Sequence, residues 1–545
     1  MSFICNVKPA GFLEVCLLLV ASACTSKSGQ YAAKEYAPAP PDRVYEELEA
    51  QEVLPSMIAP KEVPLPDHNT EQYAHIEENN FLSPLVNPLS TLSIDVDVAS
   101  YANVRRFLNE NRLPYPDAVR IEEMINYFDY NYPQPTGETP FSITAEVGEC
   151  PWNSEHHLVH IGLQGRDISL ENLPASNLVF LIDVSGSMNE PNKLPLLKSA
   201  FRLLVEQLGE KDRVAMVVYA GAAGLVLPPT PATEQSTILA ALERLEAGGS
   251  TAGGEGIELA YAVAQQHFIT GGNNRVILAT DGDFNVGPSS DGELVRMIET
   301  KRQSGVYLSV LGFGTGNYQD SKMEQLADKG NGNYAYIDNI LEAQKVLVSE
   351  IGGTLFTIAK DVKIQVEFNP AVVKGFRLIG YENRLLAAED FKDDTKDAGE
   401  LGAGHTVTAL YEVIPHGAST PVRGVDSLKY QRPAQTGGSQ NEMLHVKLRY
   451  KAPDSDISQL VEQPLRNEVA ALAQTSADFR FSAAVAGFGM VLRNSAFKGT
   501  ASYDMIRLLA VDAKGDDPQG YRSEFMQLVK KAELLDKRQQ EVKND

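Results

Sequence analysis

Cysteine is scarce: there are four in 545 residues, and Cys5, Cys16 and Cys24 fall within the first 24 positions, leaving Cys150 alone in the body of the chain. No disulfide framework can span that body, so its stability has to come from hydrophobic cores. Positive charge is also short, with 48 Lys and Arg against 72 Asp and Glu, a formal net charge of −24. A surface of that balance repels phosphate backbones and anionic lipid, which speaks against general nucleic-acid binding. The opening apolar run, Val15 to Val20, is too short to cross a bilayer as a mature helix. A Walker loop, a G-x-S-x-G elbow and an HExxH helix are all missing, and with them the common motif-borne routes to nucleotide, serine and zinc chemistry.

What is present starts with length: 545 residues correspond to two to four domains at roughly 100–200 residues each. The 43% hydrophobic and 22% charged residues are ordinary globular usage. Residues 1–24 run from Lys8 through the apolar stretch to Ala21-Ser22-Ala23 and Cys24, the charge, apolar, small-residue order of a secretory signal. Residues 25–88 hold nine of the thirty prolines without sustained periodicity and read as an extended tether, either a spacer or simply an unstructured N-terminal stretch. In 89–172 the pattern predicts two helices, the first capped by Ser100, and then strands at Phe141–Val147 and Leu158–Leu163, with a short alternation before them at Leu92–Val96.

Between 173 and 359 short apolar runs alternate with amphipathic stretches. This predicts the α/β class: a doubly wound, mostly parallel, Rossmann-like sheet with helices on both faces. Strand patterns return over 360–455, and helical patterns dominate 456–545. Because strand-rich segments flank the α/β domain on both sides, they are expected to pair into one β-sandwich into which that domain is inserted, with an additional helical part at the C-terminus.

The first α/β strand ends in Asp183-Val184-Ser185-Gly186-Ser187. Alternate polar residues on a loop leaving a strand can turn one carboxylate and two hydroxyls toward a common point, which suits a hard cation. Two more segments, Gly248–Gly254 and Thr280-Asp281-Gly282, add oxygen groups at the same edge of the sheet, where ligands of such folds bind. In this order the segments resemble a von Willebrand factor type A (VWA) domain with a metal-ion-dependent adhesion site. The resemblance implies five ligands, Asp183, Ser185, Ser187, Thr251 and Asp281, holding Mg²⁺ or else Ca²⁺ or Mn²⁺, and a partner protein that supplies a carboxylate to the ion. Thr251 is preferred to Ser250 because the family pattern places a glycine three residues after the threonine, met here by Gly254.

The likeness extends outward. Asn87–Thr91, Ile94–Asp97 and Arg120–Phe128 resemble the N-terminal region of a bacterial subfamily of VWA proteins, and Asp478–Phe481 and Ala501–Asp504 resemble its C-terminal region. Ala21-Ser22-Ala23-Cys24 is similar to the lipobox of bacterial lipoproteins, although Glu14 interrupts the apolar run and an ordinary cleaved signal remains the alternative. The lipobox implies lipidation of Cys24 and a protein anchored in the bacterial cell envelope, and Thr25 after the cysteine resembles outer-membrane sorting. The expected function is therefore non-enzymatic, metal-dependent binding of a protein partner by a lipoprotein. A metal-dependent hydrolase, or a scaffold merely stabilised by the ion, is the alternative.

Four further patterns each have a plainer role. Asp281–Gly287 nearly reads as a calcium loop, but its glycine is one place late. Asp95 and Asp97 suggest a second cation site or, more simply, a solvated strand edge or helix cap. His156, His157 and His160 suggest a transition metal, yet His157 and His160 would face opposite sides of a strand. Gly312–Gly316 imitates half a dinucleotide loop and reads as a turn.

Overall fold

The structure is a computed structural model describing residues 70–169, 173–249, 253–282, 291–422 and 440–544. Cys24 and residues 25–69 of the tether lie outside the described residues. The N-terminal region contains β1 (Leu89–Ser93), α1 (Ala99–Asn109), α2 (Ile121–Asn126), β2 (Phe141–Glu149) and β3 (His157–Gly165). The α/β domain follows: β4 (Ser176–Asp183), α3 (Leu194–Gln207), β5 (Arg213–Tyr219), β6 (Ala223–Pro231), α4 (Gln235–Glu243), α5 (Gly253–Gln266), β7 (Asn273–Thr280), α6 (Asp291–Arg302), β8 (Tyr307–Phe313), α7 (Asp320–Lys329), β9 (Tyr334–Ile337), α8 (Ile340–Gln344) and α9 (Ile351–Leu355). Strands resume with β10 (Thr357–Phe368), β11 (Val373–Ile379), β12 (Leu385–Leu386), β13 (Gly399–Gly402), β14 (Thr406–Pro415), β15 (Glu442–Lys451) and β16 (Ser458–Arg466). The chain closes with α10 (Ala477–Arg493), α11 (Tyr503–Asp512) and α12 (Tyr521–Asn544). Among the described residues no helix is long and apolar enough to cross a membrane.

The α/β sheet runs β6-β5-β4-β7-β8-β9, parallel except for the antiparallel edge strand β6. Strand β4 is apolar from Leu178 to Ile182 because both its faces are covered. Leu178, Phe180 and Ile182 join one core with α3, whereas Val179 and Leu181 join the other with Ile257, Ala260 and Tyr261 of α5. Phe180 stacks on Phe201 of α3 with ring centroids 4.2 Å apart. Each fully buried side chain of this size contributes about 1.5–3 kcal/mol. Chain order reverses between β4 and β7, so the crevice at their carboxyl ends is the sheet's topological switch point.

The strands on either side of the α/β domain form one sandwich. In one sheet, ordered β11-β14-β3-β2, β3 pairs with β14 so that Ile161 faces Ala409. The other runs β12-β1-β10-β15-β16, with β13 also on β10. Leu92, Ile161, Leu163, Ile364, Val366, Tyr411 and Val446 fill the space between them. The C-terminal helices pack against α1 and α2, where Phe128 meets Phe481 and Phe525 edge-on.

Four local expectations are corrected. Residues 70–88, counted with the tether, run along the folded body: Leu82 bridges Phe376, and Phe81 packs edge-on to His156 and Phe497. Ser100 lies inside α1, whose N-cap is Val98, and its hydroxyl donates instead to Ala118 O at 2.8 Å. Strand β1 stops at Ser93, before Asp95 and Asp97. Strand β16 occupies part of the stretch expected to be helical; Pro464 cannot donate to a ladder and is tolerated there because β16 is an edge strand.

Candidate metal centre

Strand β4 delivers Asp183 to the switch point, fully buried at its last position. Its Oδ1 accepts from Ser185 N at 2.8 Å, and its Oδ2 accepts from Thr280 Oγ1 at 3.1 Å and Tyr219 OH at 3.2 Å. Burial pushes the Asp183 carboxyl up to about 6; the Ser185 bonds oppose this and the charge of Asp281 adds to it. Past the strand, a short turn carries Ser185 and Ser187, whose hydroxyls lie 3.1 Å apart. Two ligands on adjacent corners of a Mg²⁺ octahedron are separated by roughly 3 Å at the usual bond length, so the hydroxyl pair fits that ion.

Asp281 follows β7 directly across the crevice, also fully buried. Its Oδ2 accepts from Lys193 Nζ at 3.0 Å and Asn317 Nδ2 at 3.0 Å, while Lys193 Nζ reaches Asn317 Oδ1 at 3.3 Å. Burial alone would raise this carboxyl, but the Lys193 ammonium, with hydrogen bonds from Asn317 and Ser187, holds it below the usual carboxylate range. Gly248 N donates to Val184 O at 2.8 Å and Gly186 N to Gly249 O at 3.1 Å, which brings the loop ahead of Thr251 against the serine turn. Thr251 itself, and residues 283–287 of the calcium-loop pattern, lie outside the described residues. Of the five expected ligands, then, Asp183, Ser185, Ser187 and Asp281 are found at one edge of the sheet.

The sequence pattern does not single out Lys193, Asn317 or Tyr219 as functional positions, and Thr280 stands in it only as the neighbour of Asp281. The Gly312–Gly316 turn is no dinucleotide loop; it turns β8 back toward the crevice and presents Asn317. Its Gly314, at φ +78°, lies against the Lys193 stem. The N-terminal segment clamps this same turn: Thr70 N donates to Gly316 O at 2.7 Å and Gln72 N to Tyr318 O at 3.0 Å.

The other candidates resolve into packing. Asp95 and Asp97 are not a solvated edge; with Glu324 they form a buried carboxylate group. The Arg384 guanidinium fills it, donating to Asp95 at 3.1 Å, Asp97 at 3.1 Å, Glu324 at 3.3 Å and Asp328 at 2.6 Å. The three histidines diverge: His156 Nδ1 meets Glu412 at 2.6 Å, His160 Nε2 meets Tyr132 OH at 2.8 Å, and His157 is half-buried.

Residues 177–349 match the family described as von Willebrand factor type A domain, residues 67–160 match von Willebrand factor, and residues 353–535 match "Uncharacterized protein YfbK, C-terminal". The protein YfbK of Escherichia coli K12 is 46% identical over 473 residues, covering 85% of this chain and 81% of its own length. The chain belongs to the YfbK family of VWA proteins. A second relative of this YfbK-family chain, sll0103 of Synechocystis, is 31% identical over 170 residues, 31% of this chain and 39% of that protein. Among solved structures, a von Willebrand factor type A protein from Catenulispora acidiphila is 17% identical, covering 71% of this chain and 89% of its own, with a TM-score of 0.39. A mussel byssus matrix protein with a zinc-occupied metal-ion-dependent adhesion site is 21% identical, covering 34% and 46%, with a TM-score of 0.27.

Proposed function

We propose that this YfbK-family protein is a cell-envelope lipoprotein that captures a protein partner through a divalent ion held by Asp183, Ser185, Ser187, Thr251 and Asp281. The observation that carries the reading is the assembly at the switch point: two fully buried carboxylates at the carboxyl ends of the neighbouring strands β4 and β7, beside two hydroxyls 3.1 Å apart. When bound, Mg²⁺ or a similar hard ion supplies a positive centre with coordination positions left for an incoming carboxylate. Asp183 contributes charge, and its bonds to Thr280 and Tyr219 fix its orientation; Ser185 and Ser187 contribute neutral oxygens. The overall negative balance repels an acidic partner everywhere else, which concentrates contact at this crevice. Cys24 is the proposed lipid attachment, with the outer membrane as the proposed address.

Affinity capture with the tagged full-length protein in Mg²⁺ and in chelator tests the reading. Partners retained in Mg²⁺ are expected to be lost in chelator and with Asp183→Ala. Capture that survives both, with only thermal stability lowered, would overturn adhesion in favour of a structural ion. Separately, Cys24→Ala is expected to move the protein out of the membrane fraction, and an unchanged distribution would remove the lipid anchor.

A further inference from the structure

Lys193 immediately precedes α3, and its side chain is only 4% exposed. A Cβ added at Gly314 would fall on its Cγ, Cδ and Cε, so the turn after β8 leaves a groove only as wide as the lysine stem. The groove aims the ammonium at the side of Asp281 that faces Asn317: Lys193 Nζ and Asn317 Nδ2 both donate to Oδ2, each at 3.0 Å. One oxygen of this carboxylate is therefore already supplied with two donors. We propose that Lys193 is a resident counter-charge that weakens the site's hold on a bare cation and makes ion binding depend on the arrival of an anion. The proposal rests on the metal-centre reading above.

The argument is one of charge in a buried place. Asp183 and Asp281 bring two negative charges and Lys193 returns one positive, so the set carries −1 before a divalent ion and +1 after it. Without the lysine the same ion would bring the set to neutrality. A net positive charge beside carboxylates that are themselves fully buried is unfavourable until an anion balances it. A monovalent carboxylate does so with the right count, and the linkage is reciprocal: the anion tightens the ion as much as the ion tightens the anion. The lysine thus biases the site toward being loaded only when a carboxylate-bearing partner is present.

Mn²⁺ binding to the purified full-length protein, measured by calorimetry with and without acetate, tests this. Wild type is expected to bind Mn²⁺ weakly alone and about fivefold or more tightly in saturating acetate. Lys193→Met is expected to bind Mn²⁺ about tenfold tighter without acetate and to lose the acetate effect, with Lys193→Gln as the second variant should the first not fold. Folded variants that bind Mn²⁺ no tighter than wild type, or a wild type indifferent to acetate, would overturn the counter-charge. Mn²⁺ binding that persists in Asp183→Ala, or that is absent from wild type and both Lys193 variants, would instead overturn the metal centre itself.

Discussion

His160 lies fully buried on β3, its Nε2 on Tyr132 OH and its ring near Phe479. Burial pushes its imidazole down to about 3, and that of His405 down to about 4. A histidine that resists protonation when folded but takes a proton freely near its ordinary pKa of 6.5 when unfolded contributes stability above that value. The contribution is lost as pH falls from there toward 3. Urea melts at pH 7 and pH 4.5 are therefore expected to show a smaller acid-induced loss for His160→Gln than for wild type. The gathering of Asp183, Ser185, Ser187 and Asp281 at one sheet edge could be read from sequence because strand-end loops put alternate residues on one side, a pattern carried by neighbouring positions. Lys193 and Asn317 could not, since they reach Asp281 from 88 and 36 residues away and no spacing rule announces such arrivals. Asp95 looked solvated for the same reason: its Arg384 partner is 289 residues distant.

Helices and strands were legible wherever one face alone decides burial. Helix α3 shows its apolar stripe openly, and Phe201→Ala is expected to cost about 3–5 kcal/mol through loss of the Phe180 stack and the cavity left behind, as measured by chemical denaturation. Helix α10 is capped by Ser476, whose hydroxyl accepts from Phe479 N at 3.0 Å and donates to Glu146 Oε2 at 2.7 Å. Ser476→Ala is expected to cost about 1 kcal/mol by the same measurement. Sequence pattern misleads where period-2 alternation hides buried charge, as just after β1, and where an edge strand lacks a strong pattern, as in β16. The sandwich was legible only as an architecture inferred from strand groups on both flanks; the β3 and β14 register needed coordinates.

Across the whole molecule, Arg105 of α1 ties distant regions to one guanidinium. It donates to Asp338 at 2.9 Å and Glu342 at 2.7 Å beyond β9, to Glu524 of α12 at 3.2 Å and to Tyr127 OH at 3.0 Å. Arg105→Ala leaves buried carboxylates without their cation, and a loss of about 3–5 kcal/mol is expected. It should appear as a lower midpoint of thermal unfolding. The pairing of β3 with β14 sets a timetable as well as a shape. His160 waits for Leu410, 250 positions later in the chain (410 − 160). A ribosome adding about 5–20 residues per second needs roughly 12–50 seconds to supply that partner. During this interval the β2–β3 hairpin has one edge open while the complete α/β domain emerges and can fold. Chain order thus runs opposite to neighbourhood: the whole inserted domain is present before β14 arrives to complete the sheet that frames it.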